Sequence, residues 1–73
     1  MYKGKIRVKL IKDGSEIRVY ADQAGFRYLS GLCSELASSD YDTRHVPHFH
    51  VEPALNTAEE GSVPMELFLT AEP

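Results

Sequence analysis

The sequence has little of three things that often reveal a function: cysteine, long apolar runs and excess positive charge. Its one cysteine, Cys33, cannot form an internal disulfide, which excludes a small disulfide-stabilised secreted fold. The chain has no apolar stretch of about 18 residues and no signal-peptide run, so we expect neither a membrane-spanning segment nor export. The expected location is the cytoplasm, with no membrane partner.

The charge balance argues against binding to nucleic acid. Eight Lys and Arg residues face eleven Asp and Glu residues, a formal net charge of −3. Sequence-independent binding to phosphates needs a surplus of basic residues, so a basic or neutral partner is more compatible with this chain. The 73 residues, 42% hydrophobic and 26% charged, have ordinary globular composition and predict a single domain over residues 1–73.

Two segments near the start alternate apolar and polar residues with the period of a β-strand. Every second residue is apolar in KIRVKL and in EIRVY, and Asp13-Gly14 lies between the two runs. Because Gly tolerates the positive φ of tight turns, this pair is a strong hairpin signal. The sequence therefore predicts an antiparallel hairpin with these inward residues: Ile6, Val8, Leu10, Ile17 and Val19.

From Asp22 the apolar residues recur every three or four positions, which is typical of an amphipathic helix. Asp22 can cap the first turn, and the helix is predicted from Gln23 to Ala37. Its apolar stripe comprises Phe26, Leu29, Leu32, Cys33 and Leu36. At this position Cys33 is expected to be a core residue that behaves as a small hydrophobe.

Two further strands follow, separated by loops rich in turn-forming residues. HFHVE places Phe49 and Val51 inward, and MELFLTAE places Met65, Leu67 and Leu69 inward. The order is β-β-α-β-β. It predicts an α+β, two-layer fold in which a single helix covers one face of a four-stranded antiparallel-type sheet.

The opposite face of such a sheet is the candidate partner-binding surface. It would carry Arg18, Tyr20, His48, His50 and Phe68. Tyr41, in the loop between the helix and the third strand, could also contact a partner. Aromatic residues and arginine often anchor protein interfaces, although a solvated face of mixed charge is equally compatible with the pattern. Edge strands of the sheet could also pair with a copy of the same chain and give a homodimer.

All three histidines lie in the segment HVPHFHVE. His48 and His50 share one strand face and could bind zinc with His45, Asp42 or Glu52 as a third ligand, of which we favour His45, which makes a small metal-binding domain the alternative function. No cysteine pair or helical H-E-x-x-H motif accompanies them, so the simpler interpretation is an outward strand face. We expect no metal and no cofactor.

Enzyme activity is not expected. Acid–base catalysis by the histidine pair would need a pocket, an orienting partner and a substrate anchor, none of which the sequence indicates. A chain of this length also has little room to enclose a substrate.

The order of features resembles the immunity protein 32 family of bacterial polymorphic-toxin systems. The resemblance depends on AGFRYLSGLCSELA, on HFHVEPAL with its H-x-H motif, and on a Gly-Ser turn before MELFLT. The matching residues are Gly25, Phe26, Leu29, His48, His50, Gly61, Ser62, Leu67 and Leu69. PHFHVE also looks like a segment of a second small bacterial family from toxin–antitoxin loci, but the long helix before the motif favours the first.

The resemblance implies a small protein that neutralises a cognate toxin by stoichiometric occlusion of its active surface, without chemistry of its own. In that case His48 and His50 would serve binding or folding. Neither the toxin nor its activity is identified by the resemblance.

Overall fold

The computed structural model describes residues 5–71, and its elements follow the predicted order β-β-α-β-β. They are β1 (Arg7–Ile11), β2 (Glu16–Tyr20), α1 (Gln23–Ala37), β3 (His48–Val51) and β4 (Met65–Phe68), with a short 3-10 helix at Pro53–Leu55. The α+β class is confirmed, and the helix has the predicted bounds.

The prediction of one four-stranded sheet is wrong. β1 pairs antiparallel with β2 in a first sheet, and β3 pairs antiparallel with β4 in a second, separate sheet. The loop segment 59–63 occupies the edge of β1 that β4 would need. Along this edge, the Ile6 and Val8 carbonyls accept hydrogen bonds from the amides of Glu59 (2.8 Å) and Val63 (2.9 Å). Pro64 then follows, and its lack of an N–H prevents this segment from extending the ladder.

The turn of the first sheet forms where Asp13-Gly14 predicts it. Lys12, Asp13 and Gly14 have φ values of +52°, +56° and +84°, and the Gly14 amide donates to the Ile11 carbonyl at 3.1 Å. Glycine adopts this left-handed conformation without steric cost, so it suits the last position of the turn.

Helix α1 is capped by side chains at both ends. The Asp22 carboxylate accepts a hydrogen bond of 2.7 Å from the Gly25 amide, as the sequence predicts. At the other end, the hydroxyls of Ser38 and Ser39 donate to the carbonyls of residues 34 and 35, which also accept from the Ser38 amide. These local contacts explain why the helix bounds can be predicted without the rest of the fold.

The core is small and lies where the helix meets the ends of both sheets. Ile6 and Val51 are fully buried, and Leu32 and Ala58 pack with them. Six partly buried residues surround this cluster: Ala21, Tyr28, Leu29, Phe49, Met65 and Leu67. The inward positions predicted for β3 and β4 are therefore confirmed for Phe49, Val51, Met65 and Leu67.

Two buried hydroxyls link the loop between β3 and β4 to the two sheets. Ser62 Oγ accepts a hydrogen bond from the Val8 amide in the first sheet at 2.8 Å. Thr57 Oγ1 accepts from the Glu52 amide and donates to the His50 carbonyl, each at 2.9 Å, in the second sheet. Both residues are less than a tenth exposed. A polar loop thus completes the backbone hydrogen bonding of strands that lack a neighbour.

Part of the predicted apolar surface is not covered. Leu10, Ile17 and Val19, predicted to face the core, are 52%, 63% and 37% exposed. The alternation is present, since Val8 pairs with Val19 and Leu10 with Ile17. β3 and β4 do not extend this sheet, and the helix does not cover the part of it that carries these three residues.

The prediction that Cys33 is a core residue is also wrong, because Cys33 is exposed. Gly25 and Leu32 are the buried residues of the helix, and Phe26 is 51% exposed. At 100° per residue, Phe26 and Cys33 both lie about 80–100° around the helix from the buried direction. The two small sheets cover a narrower stripe of the helix than a four-stranded sheet would.

Candidate functional site

The pairing of β3 with β4 brings two histidines next to an aromatic ring and a carboxylate. His48 lies opposite Phe68, and His50 lies opposite Glu66. The His50 carbonyl is bonded to Thr57 on the far side of β3, so these are pairs that exchange no backbone hydrogen bonds. Side chains in such pairs approach more closely than in hydrogen-bonded pairs. The sequence predicts the shared face of His48, His50 and Phe68, and the structure confirms it.

The three rings form one packed unit, here termed the ring surface (His48, His50 and Phe68). The His48 ring stacks on Phe68 with centroids 5.0 Å apart and planes inclined by 10°. His50 meets His48 edge to face, also at 5.0 Å. His48 and Phe68 are exposed. The result is a packed group of rings whose side chains are fixed by one another.

Hydrogen bonds determine which nitrogen of each histidine carries a proton. His48 Nδ1 lies 2.8 Å from the Val46 carbonyl, which can only accept, so Nδ1 is the donor. His50 Nδ1 lies 2.9 Å from a Glu52 oxygen and 3.3 Å from a Glu66 oxygen, which again requires Nδ1 to donate. The carboxylates thus hold the His50 ring in place at the edge of the ring surface.

This arrangement does not assemble the alternative metal site. Within residues 5–71, no three His, Cys, Asp or Glu side chains form a group that could hold a metal ion. His45 lies in the turn after Asp42, whose carbonyl accepts a hydrogen bond from the His45 amide. The trio His45, His48 and His50 therefore has no structural support as a ligand set.

A shallow open groove of about 490 Å³ adjoins the ring surface. It lies between the end of α1 and the residues that follow β4, and Asp40, Tyr41 and Phe68 are among its lining residues. Tyr41, predicted from the loop alone as a binding residue, thus shares a surface with Phe68. Its side chain is 42% exposed.

Arg18 and Tyr20, the other predicted binding residues, lie on the first sheet and not beside the ring surface. The Tyr20 ring is the centre of a basic cluster in which the Arg7 guanidinium carbon and the Lys9 ammonium each lie 5.9 Å from its centroid. Arg18 donates to the Tyr20 hydroxyl at 3.3 Å. This hydrogen bond lowers the pKa of Tyr20 and raises that of Arg18. The expected single binding face is therefore divided between the two sheets.

The division between the sheets is also a division of charge, which the net charge conceals. Residues 1–20 contain six basic and two acidic residues, a formal charge of +4, whereas residues 21–73 contain two basic and nine acidic residues, a formal charge of −7. Near the ring surface the acidic groups are Glu52, Glu66 and Asp40. A count by segment would have revealed this from the sequence, since a charge asymmetry between halves of a chain is itself a signal.

No helix within residues 5–71 is both long enough and apolar enough to cross a membrane. Comparison of the chain with protein-family models, with curated proteins and with solved structures found no match. A function must therefore be inferred from the ring surface and its adjoining groove.

Proposed function

We propose that the chain is a small protein-binding domain that neutralises a toxin by covering its active surface. The observation that carries this proposal is the continuity of the ring surface with the groove at Tyr41. Together they present stacked aromatic and imidazole rings beside an open concave surface. Aromatic side chains with few rotatable bonds supply most of the binding energy in many protein interfaces.

The packing of the rings supports a binding role. His48 is held by Phe68, by His50 and by the Val46 carbonyl, so its conformation is set before any partner arrives. Binding to a surface of this kind costs less side-chain entropy than binding to one that must be ordered on contact. Within residues 5–71 the hydrogen bonds of the two histidine rings involve Nδ1, so Nε2 of each ring is available to a partner.

The charge distribution favours a basic partner. The second sheet and its loops belong to the segment with a formal charge of −7. Carboxylates flank both ends of the surface: Glu52 and Glu66 at His50, and Asp40 in the groove. Opposite charges on two proteins accelerate their association and exclude partners of the wrong sign. A toxin with a basic active surface, as an enzyme that acts on nucleic acid would have, fits this description.

In the proposed mechanism the bound chain blocks access to the toxin and carries out no reaction. One copy of the chain would inactivate one copy of the toxin for as long as the complex lasts. Such a mechanism agrees with an exposed surface.

Co-expression tests the proposal. The protein encoded next to this chain should arrest growth when expressed alone, and the chain should restore growth and co-purify with it as a complex. Phe68→Ala should weaken the complex by about 2 kcal/mol, or about thirtyfold in Kd, because it removes the ring on which His48 stacks.

Phe26→Ala is the matched control. Phe26 is 51% exposed and Phe68 is 52% exposed, but Phe26 lies on α1 outside the ring surface. The control should bind like the unaltered chain. Equal weakening by both substitutions would remove the ring surface from the interface, and failure of the unaltered chain to bind or protect would reject the proposed function.

A further inference from the structure

The outer edge of β2 is unpaired within residues 5–71. Val8 uses both its amide and its carbonyl on the loop side of β1, so the Val8–Val19 pair exchanges no backbone hydrogen bonds. By the alternation of an antiparallel ladder, Ile17 and Val19 direct their N–H and C=O groups away from β1. No described residue hydrogen-bonds to this edge. It is a template for another strand.

The uncovered apolar residues of the first sheet lie next to this edge. Leu10 and Ile17 face each other across β1 and β2, and they are 52% and 63% exposed. Neighbouring apolar side chains on adjacent strands stabilise a sheet, so a strand added at β2 would gain most if it presented an apolar residue beside Ile17.

We propose that β2 of one chain pairs antiparallel with β2 of a second copy, with the twofold axis at Ile17. In this register Ile17 lies opposite Ile17 of the second copy, and Glu16 lies opposite Arg18 of the second copy on both sides of the axis. The pairing builds a four-stranded sheet in the order β1-β2-β2-β1. A row of four apolar side chains, Leu10, Ile17, Ile17 and Leu10, then runs across it.

Charge complementarity selects this register from its neighbours. An axis at Arg18 would place the two Arg18 side chains opposite each other, and an axis at Val19 would place Glu16 opposite Asp22 of the second copy. Like charges directly opposite each other destabilise a strand pair, whereas opposite charges stabilise it. Only the register centred on Ile17 pairs both charged residues of β2 favourably.

The outer edge of β3 in the second sheet is closed, because Thr57 Oγ1 binds the His50 carbonyl and the Glu52 amide, which a strand added to β3 would require. The inferred contact is made by β2 and does not depend on the ring surface or on the proposed function.

Charge reversal tests the register. The unaltered protein should sediment as a dimer. Glu16→Arg and Arg18→Glu should each weaken the dimer about tenfold or more, because each converts two attractive pairs into repulsive ones. An equimolar mixture of the two variants should dimerise again, since each copy now supplies the charge that the other needs. The double variant Glu16→Arg/Arg18→Glu should also recover the dimer.

Cross-linking supplies a second measurement with its own control. On a Cys33→Ser background, Ile17→Cys should form an intermolecular disulfide on oxidation, because residues paired at the axis have Cα atoms about 5.5 Å apart. Ser15→Cys should not, since the two copies of residue 15 would be separated by four residues of strand, about 13 Å. Circular dichroism would verify that each variant is folded. An unaltered protein that sediments as a monomer, or charge variants that dimerise as well as it does, would overturn the inference.

Discussion

The two sheets differ in what stabilises them. The first sheet has the longer strands and a tight turn, yet every residue of β2 except Glu16 is exposed. The second sheet has strands of four residues, but it contributes fully buried Val51 and is joined to its own loop through Thr57. Tertiary contact therefore covers β1 and the second sheet, whereas β2 depends on its local pattern and its pairing with β1.

The sheets also differ in chemistry. The first has Arg7, Lys9 and Arg18 around Tyr20, whereas the second has histidine rings flanked by carboxylates. The net charge of −3 therefore describes neither sheet.

Two valine substitutions should show the difference in stability between the sheets most clearly. Val51→Ala in β3 removes buried methyl groups and leaves a cavity, so it should lower the free energy of unfolding by about 2 to 3 kcal/mol. Val19→Ala in β2, where the side chain is 37% exposed, should lower it by less than about 1 kcal/mol. Urea denaturation at low protein concentration measures both. Equal losses in the free energy of unfolding would mean that Val19 is packed as tightly as Val51.

A smaller loss of stability is expected from a substitution where the loop joins the first sheet. Ser62→Ala leaves the buried Val8 amide without its acceptor and should cost about 1 to 2 kcal/mol, since a water could enter the vacated space. Hydrogen exchange at the Val8 amide should accelerate in parallel. Ser15→Ala is the control, because the Ser15 hydroxyl bonds only the exposed turn. Unchanged exchange at Val8 in the Ser62 variant would contradict the assigned contact.

The smallest effect concerns the titration of Tyr20. Arg18→Gln removes the hydrogen bond that lowers the pKa of Tyr20, so the pKa should rise toward that of an ordinary tyrosine. Because the folded-state pKa is the lower one, the pH-dependent part of the stabilisation is complete above the pKa of the unfolded chain and is lost as the pH falls through the folded-state pKa. Ultraviolet absorbance titration, with Tyr20→Phe subtracted, measures the shift. Arg27→Gln should leave it unchanged, and a fall in either variant would contradict the assignment.

Sequence reasoning succeeds here wherever the deciding contact is local. The bounds of α1 follow from Asp22 and the apolar period, and the turn of the first sheet follows from Asp13-Gly14. The shared face of His48 and His50 follows from their spacing of two. Each of these features is decided by residues within a few positions of one another.

The errors concern contacts between distant segments. A period of two shows that Leu10 and Ile17 share a face, but it does not show what covers that face. No local signal indicates that Ser62 and the amides of residues 59 and 63 would occupy the edge of β1. Once that edge is taken, β4 cannot join the first sheet, and Phe26 and Cys33 lose the cover that a wider sheet would give them.

The segment between β3 and β4 has little regular structure, yet its two hydroxyls bond both sheets. Its length is therefore not free to vary in the way that loop lengths usually are. An extra residue between Thr57 and Ser62 would separate the two attachment points and force one sheet to release its bond. Among the described residues, the turn at Asp13-Gly14 bonds only to itself and its own strands, so inserted residues should be tolerated there.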